Sequence, residues 1–297
     1  MALPMVLWCI ALLTGVVLLL VGILQGWIEE EARAGKMFRA RQQALSGVAI
    51  AMNAAIQPGD PLLHRESGTT GEGYSVQIKD ESGRINPNHF LGQNPDHRDV
   101  LARLFTAWGL DKATCDAVDD CLYDWQSPSP FKSLHGAKKA EYASEGRSGL
   151  PPGAPFNSPE EMELVLGFDA VRQAKPDWLS YFTTYYSGPV NILRAPKPVL
   201  TDLLGLTSSQ ADAWISLRAG KDGIEGTEDD INPGSLDAAM TLMGANGVQR
   251  ALIQSAGGLG GNVRRIESTG FCNGVKHTIT VIGDPQAGGT LLGWSEE

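Results

Sequence analysis

The densest group of side chains able to do chemistry is the stretch GKDGIEGTEDDIN, residues 220–232. Asp222, Glu225, Glu228, Asp229, Asp230 and Asn232 crowd hard oxygen atoms into one short loop, and Gly223 and Gly226 permit the tight turns that would fold them around a cation. Calcium takes roughly six to eight such oxygens, so the residue types suit it. The spacing is not that of an EF-hand, which needs ligands at alternating positions, a central glycine and a distal glutamate. Two readings of the loop stand on spacing alone: a calcium site, or an acidic loop that faces solvent.

Other reactive types are scattered. Asp116, Asp120 and Asp124 recur every fourth residue, which puts three like charges on one face of a helix. Such a face is solvated or bridged by a cation, because like charges at this spacing repel. Cys272 and His277 could be written as a thiol and its base, but they fall on facing strands beside a tight turn, where a packed cysteine and a surface histidine are the ordinary outcome. His89 and His97 have no cysteine or further ligand at metal spacing and read as polar loop residues. Cys115 and Cys121 are close enough to bridge across a helix end or to remain separate thiols, Cys9 lies in an apolar run, and Cys272 has no evident mate. No P-loop, GxSxG or HExxH stretch is present. The residues therefore point away from an enzyme.

The elements that would carry these residues begin with an apolar run from Ala2 to Ile28. As a helix it is roughly 40 Å long at ~1.5 Å per residue, more than the ~30 Å core of a bilayer. Trp8 and Trp27 are suitable interfacial anchors. The run is longer than the apolar core of a cleavable signal, it lacks a basic leader, and Glu29, Glu30 and Glu31 follow it directly, so a retained transmembrane helix is expected. Arg33, Lys36, Arg39 and Arg41 follow the glutamates, and the flanking charges leave the orientation open.

Phe38, Leu45, Val48, Ala49, Met52 and Ile56 keep helical spacing past the run, so the helix continues outward with an apolar stripe set against a globular body, ending at Pro58, Gly59 and Pro61. Alternation at Tyr74, Val76, Ile78 and Ile85 predicts a strand with a turn at Glu81, Ser82 and Gly83. From about Asp96 to Leu206 the pattern is helical, and a helix pair is expected over 196–219. Residues 264–271 and 275–282 alternate on either side of Asn273 and Gly274, a hairpin signal. The expected class is α+β: a long N-terminal helix, a small antiparallel sheet assembled from distant segments, and an all-helical insertion between its strands. Residues 199–220 have the cadence of a helix-hairpin-helix. Leu204, Gly205, Leu206 and Thr207 nevertheless make a poor phosphate-binding hairpin, only Arg218 and Lys221 are basic nearby, and a net charge of −10 disfavours nucleic acid as a partner.

Four stretches in this order, GRINPNHF at 83–90, DCLYDWQSPSP at 120–130, APFNSPEEMELVLGF at 154–168 and GPVNILRAPKPVLTDLLGL at 188–206, resemble the minor pseudopilin K family of bacterial type II secretion, the general secretion pathway protein K family. The resemblance extends over essentially the whole chain. It implies a transmembrane helix at 1–28, the first part of a pilin-like core at 29–95, a helical inserted domain at 96–219, and at 220–297 an acidic loop, a helix and C-terminal strands that complete the core. Pilin-like chains usually carry glutamate at mature position five; the K family lacks it, and Met5 stands there if Met1 is the mature start. The resemblance further implies a non-catalytic, single-pass inner-membrane protein with its head in the periplasm. It would act at the pseudopilus tip, joining the I and J minor pseudopilins to prime assembly and contacting the major pseudopilin, exoproteins or secretin. K-family members carry calcium in the helical domain, which favours calcium for 220–232. Gln126 and Ser127 stand where relatives have acidic residues, a departure that removes ligands there. The alternatives are a minor pilin of a type IV pilus and a membrane-tethered, calcium-dependent binding module.

Overall fold

The computed structural model describes residues 2–92 and 99–297. Helix α1 (Ala2–Ala51) runs unbroken through the apolar run and the charged stretch after it. Its C-terminal half buries Ala40, Ala44, Val48 and Ala51, one side chain per turn, on a sheet. Small residues at this spacing let the helix lie close against the strands. Arg264, from a strand far along the chain, reaches back to finish the helix: its Nη1 donates to the carbonyl oxygens of Ala51 and Ile56, at 3.2 and 2.9 Å, satisfying acceptors that a helix end leaves open.

The sheet contains β1 (His64–Ser67), β2 (Glu72–Asp80), β5 (Arg264–Cys272), β6 (Val275–Asp284) and β7 (Thr290–Glu296), in the order β1-β2-β5-β6-β7 and antiparallel throughout. Tyr74, Val76, Ile266, Ile279 and Val281 form its inner face with the α1 stripe. Ser268, on the same face, is satisfied by donating to the Ala44 carbonyl at 2.8 Å. The β5–β6 hairpin turns at Asn273 and Gly274, both with positive φ (47° and 85°), as a two-residue primed turn requires.

Between β2 and β5 the chain builds a helical body. It comprises α2 (Pro87–Phe90), α3 (Asp99–Ala107), α4 (Lys112–Gln126), α5 (Lys139–Ser144), α6 (Phe168–Ala174), α7 (Lys197–Asp202), α8 (Ser208–Arg218), α9 (Leu236–Leu242) and α10 (Gly247–Ala256). A short parallel pair, β3 (Val190–Asn191) with β4 (Gly257–Gly258), joins the stretch before α7 to the end of α10. Trp125, Tyr142, Phe168, Tyr181 and Trp214 are the large members of one continuous core. Met240 and Met243 on and after α9, and Ile253 on α10, belong to that core, so helices that lie beyond residue 219 pack with the inserted helices rather than with the sheet. Ile85, expected to extend a strand, instead donates its amide to Tyr181 and accepts from Thr183, and its side chain joins the helical core. Gly83 permits this departure, because a Cβ there would overlap the Arg194 backbone.

Candidate functional site

The acidic loop follows α8 and is organised by the protein's own donors. Asp229 Oδ2 accepts from the backbone amides of Lys221 and Asp222 at 2.6 and 3.2 Å, and Asp222 Oδ1 accepts from Ile224 N at 2.8 Å. Asn232 Oδ1 likewise accepts from Gly234 N. Glu225 Oε1 takes both Nε and Nη2 of Arg218, at 3.1 and 2.8 Å, and Asp230 Oδ2 takes Arg194 Nη1 at 2.6 Å and Gly226 N at 2.8 Å. Glu228 is exposed. The amide contacts hold the Asp229 carboxyl below its usual range, the Thr227 hydroxyl having the largest effect. Arg218 is almost wholly buried, with Nη1 on the Ile192 carbonyl oxygen at 2.8 Å, and burial lowers its pKa while Glu225 opposes that shift.

The fit to calcium is divided. Ile224 O, Asp229 Oδ1 and Asp230 Oδ1 converge on the Thr227 hydroxyl, at 3.1, 2.7 and 3.5 Å, a grouping of hard oxygens of the kind calcium takes. Glu225 does not fit, because its carboxylate is occupied by the Arg218 fork. Among the described residues, no three histidine, cysteine, aspartate or glutamate side chains lie together as a metal site. Arg194 and Arg218 were invisible as partners of the loop: the first lies 36 residues before Asp230, and no local pattern joins them.

The three aspartates on α4 do separate work. Asp116 pairs with Lys112 one turn earlier, Asp120 accepts from His135 N at 2.9 Å, and buried Asp124 accepts from both Ser133 N and Ser133 Oγ, at 2.9 and 3.1 Å. Lys138 Nζ closes the other end on the carbonyl oxygens of Asp124 and Ser127. The face therefore braces the loop that follows α4. Cys115 and Cys121 are both free and buried; each thiol approaches a different backbone carbonyl, of Leu110 and His135 respectively. Burial, with Asp124 adding to it, pushes the Cys121 thiol up to about 11.

Cys272 contacts Glu72, and His277 contacts Glu296 across the β6–β7 pair, so the two do not form a thiol–base couple. His89 sits in α2 edge-on to Phe90, whereas His97 lies outside the described residues. The 199–220 segment is a helix pair, α7 and α8. Its turn packs on α10: Gly205, with φ +70°, gives its carbonyl to Gln249 Nε2 at 2.9 Å and lies against Leu252.

The remaining functional surface is α1 itself. Leu12, Val16, Leu19, Ile23 and Ile28 are all exposed, and the segment Leu12–Ala51 contains a window of mean hydropathy 1.9, enough by length and composition to cross a membrane. Met5 falls within α1, but its side chain lies outside the described residues. Taken together, the described residues offer an apolar helix, a sheet that anchors it and a helical body, with no assembled catalytic group.

Residues 83–176 match the family model described as type II secretion system (T2SS), protein K. No curated protein matches the sequence. Among solved structures, the fold is similar to a chain of the GspK-GspI-GspJ complex from the type 2 secretion system of enterotoxigenic Escherichia coli. The two are 13% identical, the match covers 92% of this chain and 98% of that one, and the TM-score is 0.61. The segment that matches the protein K model spans the turn after β2, the core of the inserted helices and the α4 brace, and the likeness of fold to the solved chain extends over the α1–sheet unit as well.

Proposed function

We infer that the chain works by assembly and performs no reaction, as a minor pseudopilin that joins I- and J-type partners in the pseudopilus. One observation carries this reading: the apolar half of α1 stands clear of the body with its large side chains exposed, while the other half is locked to the sheet. A helix presented in this way buries its surface first in lipid and then against other helices, where packing replaces lipid contacts. The body would lie in the periplasm, with the inserted helices above the sheet obstructing addition of a further subunit and so favouring a place at the tip. From the tip it would contact exoproteins or the secretin.

The test is co-expression of the full chain with the matching I and J pseudopilins, extraction in mild detergent, and size-exclusion chromatography. A stable three-component complex is expected. Recovery of I and J together without this chain would sink the reading.

Calcium is a second, structural proposal. Asp229 and Asp230 with the Ile224 carbonyl would hold it, and its role would be to fasten the loop to α8. The support is the convergence of oxygens on Thr227.

A further inference from the structure

A cavity of about 690 Å³ opens where the end of β2, the start of β5 and the α7–α8 side of the helical body meet, a size ordinary for a ligand site. Its walls carry Lys79, Arg84, Arg194, Arg218 and Arg264 against Asp80 and Glu225, a positive lining on a chain whose net charge is −10. Four of the five cations are committed. Lys79 holds Glu267, Arg194 holds Asp230, Arg218 holds Glu225, and Arg264 caps α1.

Arg84 is different. Its guanidinium makes no hydrogen bond to the described residues, and its ion-pair partner is Glu81, 3.8 Å from Nε. Glu81 is wholly buried and is bonded to Arg265. Only a quarter of the Arg84 side chain is exposed, and burial lowers its pKa. The turn that presents it depends on Gly83, whose Cβ position is occupied by the Arg194 backbone. A largely desolvated guanidinium with its fork unused, on the wall of a positively lined cavity, matches the two oxygens of a carboxylate. Arg84 also borders a smaller hollow of about 300 Å³, but the cation there besides Arg84 is Arg265, already on Glu81. Because the neighbouring cations are paired, the uncompensated charge suits a single carboxylate better than a doubly charged phosphate.

We propose that this cleft binds a carboxylate-bearing ligand, gripped by the Arg84 guanidinium. The site is independent of the assembly reading, since it requires neither the membrane helix nor a partner subunit. A carboxylate can come from an acidic side chain or from a chain terminus, and three capped peptides separate these sources: acetyl-Gly-Glu-Gly-amide, acetyl-Gly-Gly-Gly with a free carboxylate, and acetyl-Gly-Gln-Gly-amide as the uncharged control. Binding is read by saturation-transfer NMR on the full-length protein in neutral detergent at constant ionic strength. One or both carboxylate peptides should saturate and the glutamine peptide should not, the responding peptide naming the source. Arg84→Gln should weaken binding about tenfold or more, as loss of a charge-assisted fork predicts. Should Arg84→Gln fail to fold, Asn262→Glu, at an exposed lining position, places a like charge at the mouth and should abolish binding. No saturable signal up to about 10 mM, an equal response from the glutamine peptide, or undiminished binding in Asn262→Glu overturns the proposal.

Discussion

Arg41 on α1 forks onto the carboxylate of Glu296 on β7, with Nε and Nη2 at 2.7 and 2.8 Å from its two oxygens. Trp294 Nε1 donates to the same carboxylate at 3.0 Å, and His277 Nε2 lies 3.1 Å from it. The membrane helix is thereby fastened to the last strand of the chain, 255 residues away.

That contact is pH-sensitive in a defined direction. The Arg41 fork, followed by Trp294, holds the Glu296 carboxyl at about 2, below its usual 4.5. A depressed pKa contributes stability that is complete above the unfolded value and lost as pH falls through the folded one. The protection of β7 amides, measured against the intrinsic exchange rate at each pH, should therefore fall between pH 4.5 and about 2. Glu296→Gln should show reduced protection in β7 already at neutral pH and little further loss of protection on acidification. A β7 exchange rate that does not change in this variant would show that the ladder to β6 alone holds the strand.

The helix and sheet approach so closely that β5 has no room for a side chain at Gly270, where a Cβ would overlap the Ala40 carbonyl and the Ala44 amide. Backbone atoms cannot swing aside as a flexible side chain does. Gly270→Ala should cost about 2–3 kcal/mol, toward the upper end for overpacking, seen as a lower urea midpoint with the same slope. Gly247→Ala, in open space at the start of α10, is the control and should stay within about 0.5 kcal/mol.

Asp124 organises the loop after α4 through two hydrogen bonds to Ser133, and it is almost completely buried. Asp124→Ala leaves the Ser133 amide without its acceptor and should cost about 1–3 kcal/mol. Limited chymotrypsin digestion should then cut at Phe131, an exposed residue that the braced loop protects by rigidity alone. Resistance equal to wild type would assign the bracing to Lys138.

Calcium at the 220–232 loop makes its own prediction. The melting temperature of the full chain should rise on adding calcium and fall in chelator, and Asp229→Asn should remove the difference. At a free calcium concentration about a hundredfold above Kd, the gain would be about 2.7 kcal/mol by mass action. An identical melting curve in calcium and chelator would leave Arg194 and Arg218 as the groups that neutralise the loop.

Much of the architecture is legible because it rests on local physics. Asn273 and Gly274 announce the hairpin through the positive φ that both adopt. The apolar stripe past residue 38 announces the buried face of α1 only in part: Val48 is buried and Leu45 and Met52 pack partly on the sheet, but Phe38 and Ala49 are exposed, because the close approach of helix to strands selects the small residues Ala40, Ala44 and Ala51 for the contact. The edge strands do not announce themselves. In β1 and β7 most side chains on both faces are exposed, so no alternation of burial imposes a period of two. At the acidic loop the carboxylates were visible and their arrangement was not, because Arg194 meets Asp230 only once the two segments pack. The α4 aspartates show the same limit: a four-residue spacing defines a face but does not reveal that Ser133 and His135 come back to it.

Strand β2 has its central neighbour in β5, where Lys79 meets Glu267, 188 residues further along. During synthesis at roughly 5–20 residues per second, that neighbour arrives some 10–40 s after β2 has been made. Throughout this interval the sheet lacks its middle, and α1 has only β1 and β2 to rest against. The helices encoded in between complete most of their own core first, so the order of translation makes the inserted body the earlier-folding unit and the sheet the later one. A ribosome-held chain stopped before residue 264 should accordingly show protected helices and a protease-sensitive β2, with protection of β2 appearing only once β5 has been released.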